Sequence, residues 1–542
     1  MKIKFISALE KVFPHQEPNN TVLENYVYCG ETLSFQFCYQ SERTAEVYIE
    51  ADSDISEHIE LHKPKLIPAL VNEFINSYMD EKEDDYVIFK QNSATYYPDK
   101  LENLPAKLCI VANWWNSVWI TVKANAPIGK HALTMRIKSV EDDSVIGEAT
   151  QAFTVLATRL EKCDIPITCW YYYDCLADAH NLEAFSDAYF DMLENYFRDT
   201  IQKGINTSFV PLFSHPKQKK DSITPKVTQI IKIERENGKY KFDFSLMDKF
   251  IKLAQKYGFE YFEFSHIASQ KEVSHCPKIV GIVDGKEQTL FDSDTDCLSH
   301  EYIEFLTLLF EQLRKRLIEK GIYEKCLFHI SDEPQLCFKE RYMFLVKKMR
   351  EILPNATFID ALHPLEFSEG GLITPVASTQ KADGFIKNNV EHWVYYCCEE
   401  MFNNLSNRFF NHPLLRTRII GTQLYLNGAK GFLHWSLNSW YASNTLELID
   451  PDYVANGNGG LPSGDCFLIY PGENAPISSV RMEAFSDAIR DYKTLKTLEK
   501  RYGKAFVMSL LKEHGFANYT QYTHDETEFA AFWDKVKNLL ES

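Results

Sequence analysis

Two adjacent acids, Asp332 and Glu333, are the residues of this sequence best placed to do chemistry. They follow the apolar run CLFHI and precede Pro334, in the segment SDEP. Proline cannot continue a strand ladder, so the strand is expected to end here with both carboxylates at its carboxyl end. Neighbouring carboxylates repel, so one holds its proton to higher pH while the other stays ionised. Such a pair is suited to cleavage of a glycosidic bond.

The adjacency of the two acids restricts the mechanism. Most glycosidases hold two carboxylates on opposite sides of the anomeric carbon. Consecutive strand residues point to opposite faces unless the backbone leaves strand geometry, as it would have to at Asp332. Adjacent acids fit more naturally on one side of a sugar whose own 2-acetamido oxygen is the nucleophile. Asp332 would then orient the acetamido N–H, and Glu333 would protonate the leaving oxygen and later deprotonate water.

A second group of candidates lies in GFLHWSLNSW, residues 431–440, which predicts another strand. Aromatic planes bind the apolar faces of sugar rings, and amides bind sugar hydroxyls. Asn438 and Trp440 end this strand and are expected to face the substrate. Trp435 is a third candidate, for which packing inside the protein is an equal alternative.

Other strand ends supply further candidates for binding sugar hydroxyls. His266 follows FEYFEFS, and Asp174 ends WYYYD, where capping of the next loop is an equal alternative. Asp465 in PSGDC is a third candidate, with a turn that bonds its own backbone as the alternative.

A metal site is not expected from the sequence. His329 alternates with Glu333 along the strand, but such a histidine is more often a core group than a catalytic one. A metal site built from His329, Asp332 and Glu333 has no His-rich spacing to support it. We therefore predict neither a metal nor a cofactor.

After about residue 159 the sequence alternates between predicted helices and predicted strands, and these elements position the candidate residues. Amphipathic patterns end at Gly204, Gly258 and Gly321, and an apolar strand follows each glycine. Eight strands are predicted: TCWYYY, SFVPLF, EYFEF, CLFHI, TFIDAL, LITPVA, WVYYC and GFLHW. Eight parallel strands make a (β/α)8 TIM barrel, whose active site lies at the carboxyl ends. An open doubly wound sheet is the alternative, but no glycine-rich phosphate loop follows the first strand.

The chain is expected to be multidomain. Short alternating runs such as LSFQFCYQ and YVIFK predict an N-terminal antiparallel β-sandwich over residues 1–158. The barrel would occupy 159–476, with a βα-loop insertion at 214–243. Residues 477–542 predict a C-terminal helical extension that packs on the barrel, and the basic residues of its helix 488–500 predict a solvated face.

Composition narrows the class of partner. The 542 residues carry a net charge of −18, which argues against nucleic acid or an anionic membrane and favours an oligosaccharide or glycoside. The 13 cysteines are scattered without a CxxC pair, so neither a disulfide framework nor zinc is indicated. The N-terminus MKIKFISALEKVFP lacks a signal-peptide pattern, so a cytoplasmic location is expected. The oligomeric state stays open.

Taken in order, several motifs resemble glycoside hydrolase family 123 and the proteins of domain-of-unknown-function 4091 grouped with it. They are NWWNSVWITVKANAPIGKH at 113–131, SDEP at 331–334, GFLHWSLNSW at 431–440, GDCFLIYPG at 464–472 and the segment 481–492. The resemblance extends over nearly the whole chain.

The resemblance implies a β-sandwich, a catalytic barrel and retaining exo-hydrolysis of β-linked N-acetylhexosamine, preferably N-acetylgalactosamine, by substrate assistance. It implies that Asp332 stabilises the acetamido group and that Glu333 is the acid/base. It also places the Trp and Asn residues of 431–440 at the sugar. The tyrosine that bonds the acetamido oxygen has two candidate positions in WVYYCCEE, of which Tyr395 is preferred over Tyr396.

Two rival functions stay open. One is a glycosidase for a sugar without an acetamido group, in which Asp332 or Glu333 works with a distant carboxylate such as Asp174. The other is a non-catalytic carbohydrate-binding protein on a degenerate barrel. The presence of two adjacent carboxylates argues against the second.

Overall fold

The computed structural model describes residues 1–19, 24–70, 86–88, 94–213, 228–443 and 445–542. The part of the predicted insertion at 214–227, and the end of the run YVIFK at 89–90, lie outside the described residues.

The N-terminal region forms two five-stranded sheets that pack face to face. Residues from both sheets, such as Phe37, Ile120 and Ile137, are buried between them. Pairing is antiparallel except for Tyr26–Val27, which pairs in parallel with Thr154 and Val155. This confirms the predicted sandwich. In spatial order the strands are Lys2–Ser7, Leu33–Gln40, Trp115–Val122, Ile59–Leu70 and Ala94–Asn103 in one sheet, and Tyr26–Val27, Val145–Val155, Gly129–Ser139, Ala45–Ser53 and Leu108–Ile110 in the other.

Eight parallel strands form the barrel, and each coincides with a predicted strand. We number them β1 Ile167–Cys169, β2 Thr207–Val210, β3 Tyr261–Phe264, β4 Cys326–Phe328, β5 Thr357–Ala361, β6 Thr374–Ser378, β7 Trp393–Tyr395 and β8 Phe432–His434. They are hydrogen-bonded in the order β1-β8-β7-β6-β5-β4-β3-β2. At the seam between β1 and β2, Asn206 Oδ1 accepts from the Ile167 N–H at 2.7 Å, and its amide donates to the Ile165 carbonyl at 2.9 Å. A side chain thus bridges the seam of the predicted barrel.

The helices of the described ranges lie mainly between successive barrel strands. They are α1 Tyr173–Ala179, α2 Asp187–Gln202, α3 Ser245–Tyr257, α4 His300–Glu319, α5 Lys339–Ile352, α6 Ala382–Lys387, α7 Leu414–Arg418, α8 Ile420–Asn427, α9 Val480–Tyr502, α10 Lys504–Glu513 and α11 Glu526–Glu541. Helix α3 ends at Gly258, whose φ of +104° is a left-handed conformation that glycine adopts without a Cβ clash. A 3-10 segment, Leu365–Gly371, replaces an α-helix between β5 and β6. None of these helices is long and apolar enough to cross a bilayer.

Two βα loops share an additional four-stranded sheet. The hairpin Lys232–Glu236 and Lys239–Asp243 comes from the predicted insertion after β2. The hairpin Ile279–Val283 and Lys286–Phe291 comes from the loop after β3, and the two pair in parallel at Glu234 and Ile282. The sequence analysis did not identify the second hairpin.

Helix α9 differs from the predicted solvated face at Arg490 and Lys493, whereas Lys500 is exposed as predicted. Arg490 is buried, and its guanidinium contacts Glu24 at 2.6 Å; Lys493 contacts Glu31 at 2.5 Å. Near the helix start, the buried Arg481 binds Asp99 of the sandwich at 2.8 Å. The basic face therefore joins the C-terminal helices to the N-terminal region. The domain boundaries at 158 and 476 stay predictions.

Candidate active site

The loop after β4 brings Asp332 and Glu333 to the same side of the backbone. Strand geometry ends at Phe328, and Glu333 adopts a left-handed φ of +46°. Strand alternation therefore does not reach the two acids, and with this turn both of them line one cavity. A left-handed glutamate is strained, and such strain concentrates at functional sites.

The loop after β3 holds the acidic pair in place. The Lys271 N–H donates to the Asp332 carbonyl at 2.9 Å, and the Gln335 N–H donates to the Lys271 carbonyl at 2.9 Å. The Gln270 side chain donates to Asp332 Oδ2 at 2.9 Å. Lys271 is itself left-handed, with a φ of +61°. Two strained turns therefore fix each other through backbone hydrogen bonds.

Glu333 belongs to a triangle of polar side chains. The Tyr395 hydroxyl donates to Glu333 Oε1 at 3.0 Å, and His363 Nε2 lies 3.3 Å from the same oxygen. The Tyr395 hydroxyl and His363 Nε2 are 3.1 Å apart. Tyr395 ends β7 and His363 lies two residues after β5, so strand ends from three parts of the barrel meet at Glu333.

The two carboxyl groups differ in proton affinity. Burial, and then the charge of Glu333, raise the pKa of Asp332 to about 8. Burial acts in the same direction on Glu333, but hydrogen bonds from His363 and Tyr395 outweigh it and hold the pKa of Glu333 below its ordinary value. A proton shared by the pair is therefore held by Asp332, whereas the sequence analysis assigned the acid role to Glu333.

The cavity at the carboxyl ends of the strands has a volume of about 460 Å³. That size is in the range of small-molecule sites and holds a pyranose with its substituents. Its walls combine aromatic, acidic and thiol side chains with one lysine. The lining residues are Trp170, Gln270, Lys271, Asp332, Glu333, Ala361, Tyr395, Cys397, Cys398, Glu399, Leu433, Trp435 and Leu461.

Trp435 lines this cavity, and Asp465 holds the Trp435 indole ring through a hydrogen bond. The indole Nε1 of Trp435 donates to Asp465 Oδ2 at 3.1 Å. Asp465 is completely buried, and burial raises its pKa to about 7. Asp465 is not among the lining residues, and its carboxylate contacts the Trp435 ring instead.

Asn438 and Trp440 lie elsewhere than the sequence predicted. Asn438 Oδ1 accepts from the Tyr172 N–H at 2.9 Å, which ties the chain after β8 to the chain after β1. Trp440 is 1% exposed and donates to the Ile469 carbonyl at 3.0 Å. Strand β8 ends at His434, so the alternation used to orient these two residues does not reach them.

His266 and Asp174 also stand outside the cavity lining. His266 is 1% exposed and stacks on His329 with 4.2 Å between ring centroids. Asp174 lies in the first turn of α1, where its Oδ1 accepts from the Cys175 N–H at 2.8 Å. This bond is local, but it is not a cap, because the N-cap of α1 is Tyr172 and has no side-chain cap hydrogen bond.

Several residues of the site were missed by the sequence analysis. Gln270 and Lys271 line the cavity and lie six and seven residues beyond β3, where no periodic pattern marks them. His363 does not line the cavity but contacts Glu333, and it lies two residues after β5, so the strand-end rule used for Asp332 would also have found it. Glu399 lies in the acidic end of WVYYCCEE, where only the tyrosines were considered.

The described residues contain one group with the spacing of metal ligands. Ligand atoms of His266, His329 and Asp360 lie within 4.8 Å of one another. However, His329 Nδ1 lies 2.9 Å from Asp360 and its Nε2 lies 2.6 Å from Glu263. With both ring nitrogens facing carboxylates, His329 has no lone pair to offer, and the donor set fits an imidazolium better than a metal.

A second cavity, of about 510 Å³, lies between the sandwich, the end of α2 and the start of α9. Its polar lining includes Glu60, His62 and Asp199, and an ion pair of Lys203 with Glu483 at 2.5 Å. Its lining, among the described residues, includes none from the carboxyl end of a barrel strand. We therefore place the chemistry in the smaller cavity.

Known proteins share both the sequence pattern and the fold. The family model described as "Glycoside hydrolase 123, catalytic domain" matches residues 170–498. A family 123 glycoside hydrolase from Clostridium perfringens superposes with a TM-score of 0.72 at 16% identity, over 100% of this chain and 97% of that chain. A family 5 mannosidase from Rhizomucor miehei reaches a TM-score of only 0.33 at 10% identity, over 64% and 97%. No curated protein matches the chain.

The family model covers more than half of the chain, and it includes the acidic pair, the Tyr395 strand and the Trp435 strand. The superposition over the entire chain shows the same sandwich, barrel and C-terminal helices. This protein belongs to glycoside hydrolase family 123.

Proposed function

We propose that the chain is a retaining exo-β-N-acetylhexosaminidase, with a preference for terminal β-linked N-acetylgalactosamine and with the sugar's 2-acetamido oxygen as nucleophile. The observation that carries this proposal is the left-handed turn at Glu333, which opens two successive acids onto one side of a single cavity. Acids so placed suit a substrate that provides its own nucleophile from the opposite side of the anomeric carbon.

In the first step, Glu333 protonates the glycosidic oxygen while the acetamido oxygen bonds to C1. The C1–O bond to the leaving group breaks, and the sugar becomes a cyclic oxazolinium ion. Asp332 accepts the acetamido N–H and stabilises the positive charge that develops there. In the second step, Glu333 takes a proton from water, the water oxygen bonds to C1 and the acetamido group re-forms. Two inversions at C1 give net retention.

The side chains around the acids support these roles. Tyr395 donates to Glu333 before substrate binds, and its single hydroxyl proton would turn to the acetamido oxygen once Glu333 holds the shared proton. Trp435 presents an aromatic surface held by Asp465, which suits the apolar face of a pyranose. Trp170 and Leu433 complete the apolar part of the lining.

The proton must move before the first step, because Asp332 holds it in the absence of sugar. An acetamido N–H that donates to Asp332 stabilises the ionised carboxylate and lowers its pKa. A sugar over Glu333 excludes water and raises the pKa of Glu333. Substrate binding therefore transfers the shared proton from Asp332 to Glu333, where the leaving oxygen requires it.

A two-carboxylate glycosidase is the second candidate. Asp174 does not line the cavity, but Glu399 does, so Glu399 is the carboxylate that this alternative requires. The family 123 enzyme from Clostridium perfringens was studied for glycolipid glycan hydrolysis. At 16% identity, its similarity to this chain shows a shared fold alone. A glycolipid glycan therefore belongs in the substrate panel.

The experiment compares para-nitrophenyl β-N-acetylgalactosaminide, its glucosamine epimer, the β-galactoside without an acetamido group and a glycolipid glycan ending in N-acetylgalactosamine. The proposal predicts hydrolysis of the acetamido sugars only, inhibition by a thiazoline analogue, and loss of turnover in Glu333→Gln. Glu399→Gln should retain at least a tenth of the wild-type kcat. Turnover of the plain galactoside, together with an inactive Glu399→Gln variant, would establish the two-carboxylate alternative instead.

A further inference from the structure

Directly below the acidic pair, an imidazole is held between two carboxylates inside the barrel. His329 Nε2 lies 2.6 Å from Glu263 Oε1 on β3, and its Nδ1 lies 2.9 Å from Asp360 Oδ1 on β5. Glu263 and Asp360 are 0% exposed and His329 is 2% exposed. Buried carboxylates are costly unless they are paired, and a protonated ring between them provides that pairing.

Asp360 connects this group to the catalytic loop. Its carboxylate accepts hydrogen bonds from the backbone N–H groups of Ile330 at 3.1 Å and Ser331 at 3.3 Å. Ser331 immediately precedes Asp332. A third donor, the Tyr342 hydroxyl of α5, binds Asp360 Oδ2 at 2.7 Å. Asp360 thus fixes the backbone from which both acids project.

Glu263 connects the same group to the wall of the sugar cavity. Its Oε1 accepts from the Trp170 indole Nε1 at 2.7 Å, and its Oε2 accepts from the Thr168 hydroxyl at 2.5 Å. Trp170 lines the cavity, whereas Thr168 lies in β1. One end of the group therefore orients a cavity aromatic and the other end orients the acid loop.

We infer that Glu263, His329 and Asp360 form a charged positioning unit, in which a buried imidazolium joins the catalytic loop to the Trp170 wall and acts electrostatically on Asp332. None of the three lines the cavity, so they are positioning residues rather than catalytic ones. The inference rests on the proposed roles of Asp332 and Glu333.

The proton affinities agree with this geometry. Burial lowers the pKa of His329, but the hydrogen bonds to Asp360 and Glu263 outweigh it and raise the pKa to about 10. Burial raises the pKa of Asp360, against the hydrogen bonds from His329 and Tyr342. His266 is a further titratable group that lies against the His329 ring. The charge on His329 lowers the pKa of Asp332, and the charge on Asp360 raises it.

The two charges therefore predict opposite effects on the alkaline limb of the pH profile of kcat/KM, where Asp332 loses its proton. His329→Gln removes a cation, so the limb should move to higher pH. Asp360→Asn removes an anion, so the limb should move to lower pH. A purely structural role has no reason to move the limb in opposite directions. Both variants should also lose at least tenfold in kcat with a smaller change in KM, because a misplaced catalytic group affects kcat more than binding.

A milder variant keeps the charges of Glu263, His329 and Asp360 and removes one hydrogen bond to this group. Tyr342→Phe deletes a hydrogen bond to Asp360, so kcat should fall several-fold with the alkaline limb unmoved. Tyr189→Phe is the matched control, because Tyr189 is a buried barrel tyrosine whose hydroxyl donates to the backbone carbonyl of Tyr173 at 3.1 Å. The control should retain wild-type kcat.

A measurement that needs no turnover completes the test. Nitrogen-15 NMR of histidine-labelled protein at pH 8 should show a ring protonated at both nitrogens, assigned by its absence in a variant at His329. A neutral His329, or charge variants that fold and leave the limb in place, would overturn the inference. Failure of the proposed function is recognised separately, because Glu333→Gln would then stay active while the NMR result stands.

Discussion

The Tyr395 hydroxyl, at the end of β7, donates a hydrogen bond to Glu333 Oε1 at 3.0 Å across the mouth of the barrel. This contact is one of the two hydrogen bonds that keep the pKa of Glu333 below its ordinary value. In the proposed mechanism the same hydroxyl also donates to the acetamido oxygen of a bound sugar, for which it must release Glu333, because a phenol has one proton to donate. A single hydroxyl would therefore tune the acid/base before substrate binds and orient the nucleophile afterwards.

Replacement of Tyr395 by Phe should lower kcat by about a hundredfold, the usual cost of losing one donor to a developing charge. Steady-state kinetics on the aryl N-acetylgalactosaminide measure this loss. Tyr396→Phe is the matched control, since the neighbouring ring packs against Phe432 and does not line the cavity. If Tyr396→Phe were the more damaging change, the role given to Tyr395 would be wrong.

The pH profile of kcat/KM should show an alkaline limb near pH 8. The reactive pair carries one proton, and this proton is lost as the pH rises through the pKa of Asp332, which is about 8. Activity is therefore present below that pH and declines above it. In Asp332→Asn the repulsion between the carboxylates is gone, so the limb near pH 8 should disappear. Its persistence in that variant would assign the limb to another group.

The pairing of Trp435 with Asp465 predicts an effect on substrate binding. Asp465→Ala leaves the indole N–H without its acceptor, so the ring loses its fixed orientation and KM should rise roughly fivefold, equivalent to one hydrogen bond. Asn438→Ala is the comparison, since the Asn438 side chain bonds the backbone of Tyr172, neither residue lines the cavity, and the change should affect thermal stability more than KM. Equal KM values for wild type and Asp465→Ala would argue against the positioning role.

The left-handed conformation of Glu333 predicts a difference between two inactive variants. At a φ of +46°, alanine keeps the steric penalty of its Cβ, whereas glycine does not. Glu333→Gly should therefore be more stable than Glu333→Ala by about 1 kcal/mol in denaturant unfolding. If the turn instead relaxes once the carboxylate is removed, Glu333→Ala should be the more stable of the two variants.

The strand count was predictable because each barrel strand is a short apolar run with a helix or a turn signal behind it. The same reasoning placed Asp332 and Glu333 after β4, although the ladder stops at Phe328 and not at Pro334, where the sequence predicted its end. The left-handed turn at Glu333 was not predictable, because the contact that supports it comes from Lys271, 62 residues earlier in the chain. Local pattern shows where a strand ends but not which distant loop then shapes the backbone.

Residues beyond a strand end were the least predictable. Asn438 and Trp440 were oriented by extending the alternation of β8, but the chain turns after His434 and buries both side chains. Asp465 was expected to contact a hydroxyl, whereas its contact with Trp435 depends on how two loops fold together. The packing of the basic face of α9 against Glu24 and Glu31 likewise depends on the position of the N-terminal region.

In the proposed mechanism the substrate's acetamido oxygen attacks C1 from the side opposite Glu333. This attack is tested by measuring kcat/KM for aryl N-acetylgalactosaminides whose acetyl group carries zero, one, two or three fluorine atoms. Fluorine withdraws electrons from the acetamido oxygen, so substrate assistance predicts a steep and steady fall in kcat/KM along the series. Rates that stay level from acetyl to trifluoroacetyl would contradict it.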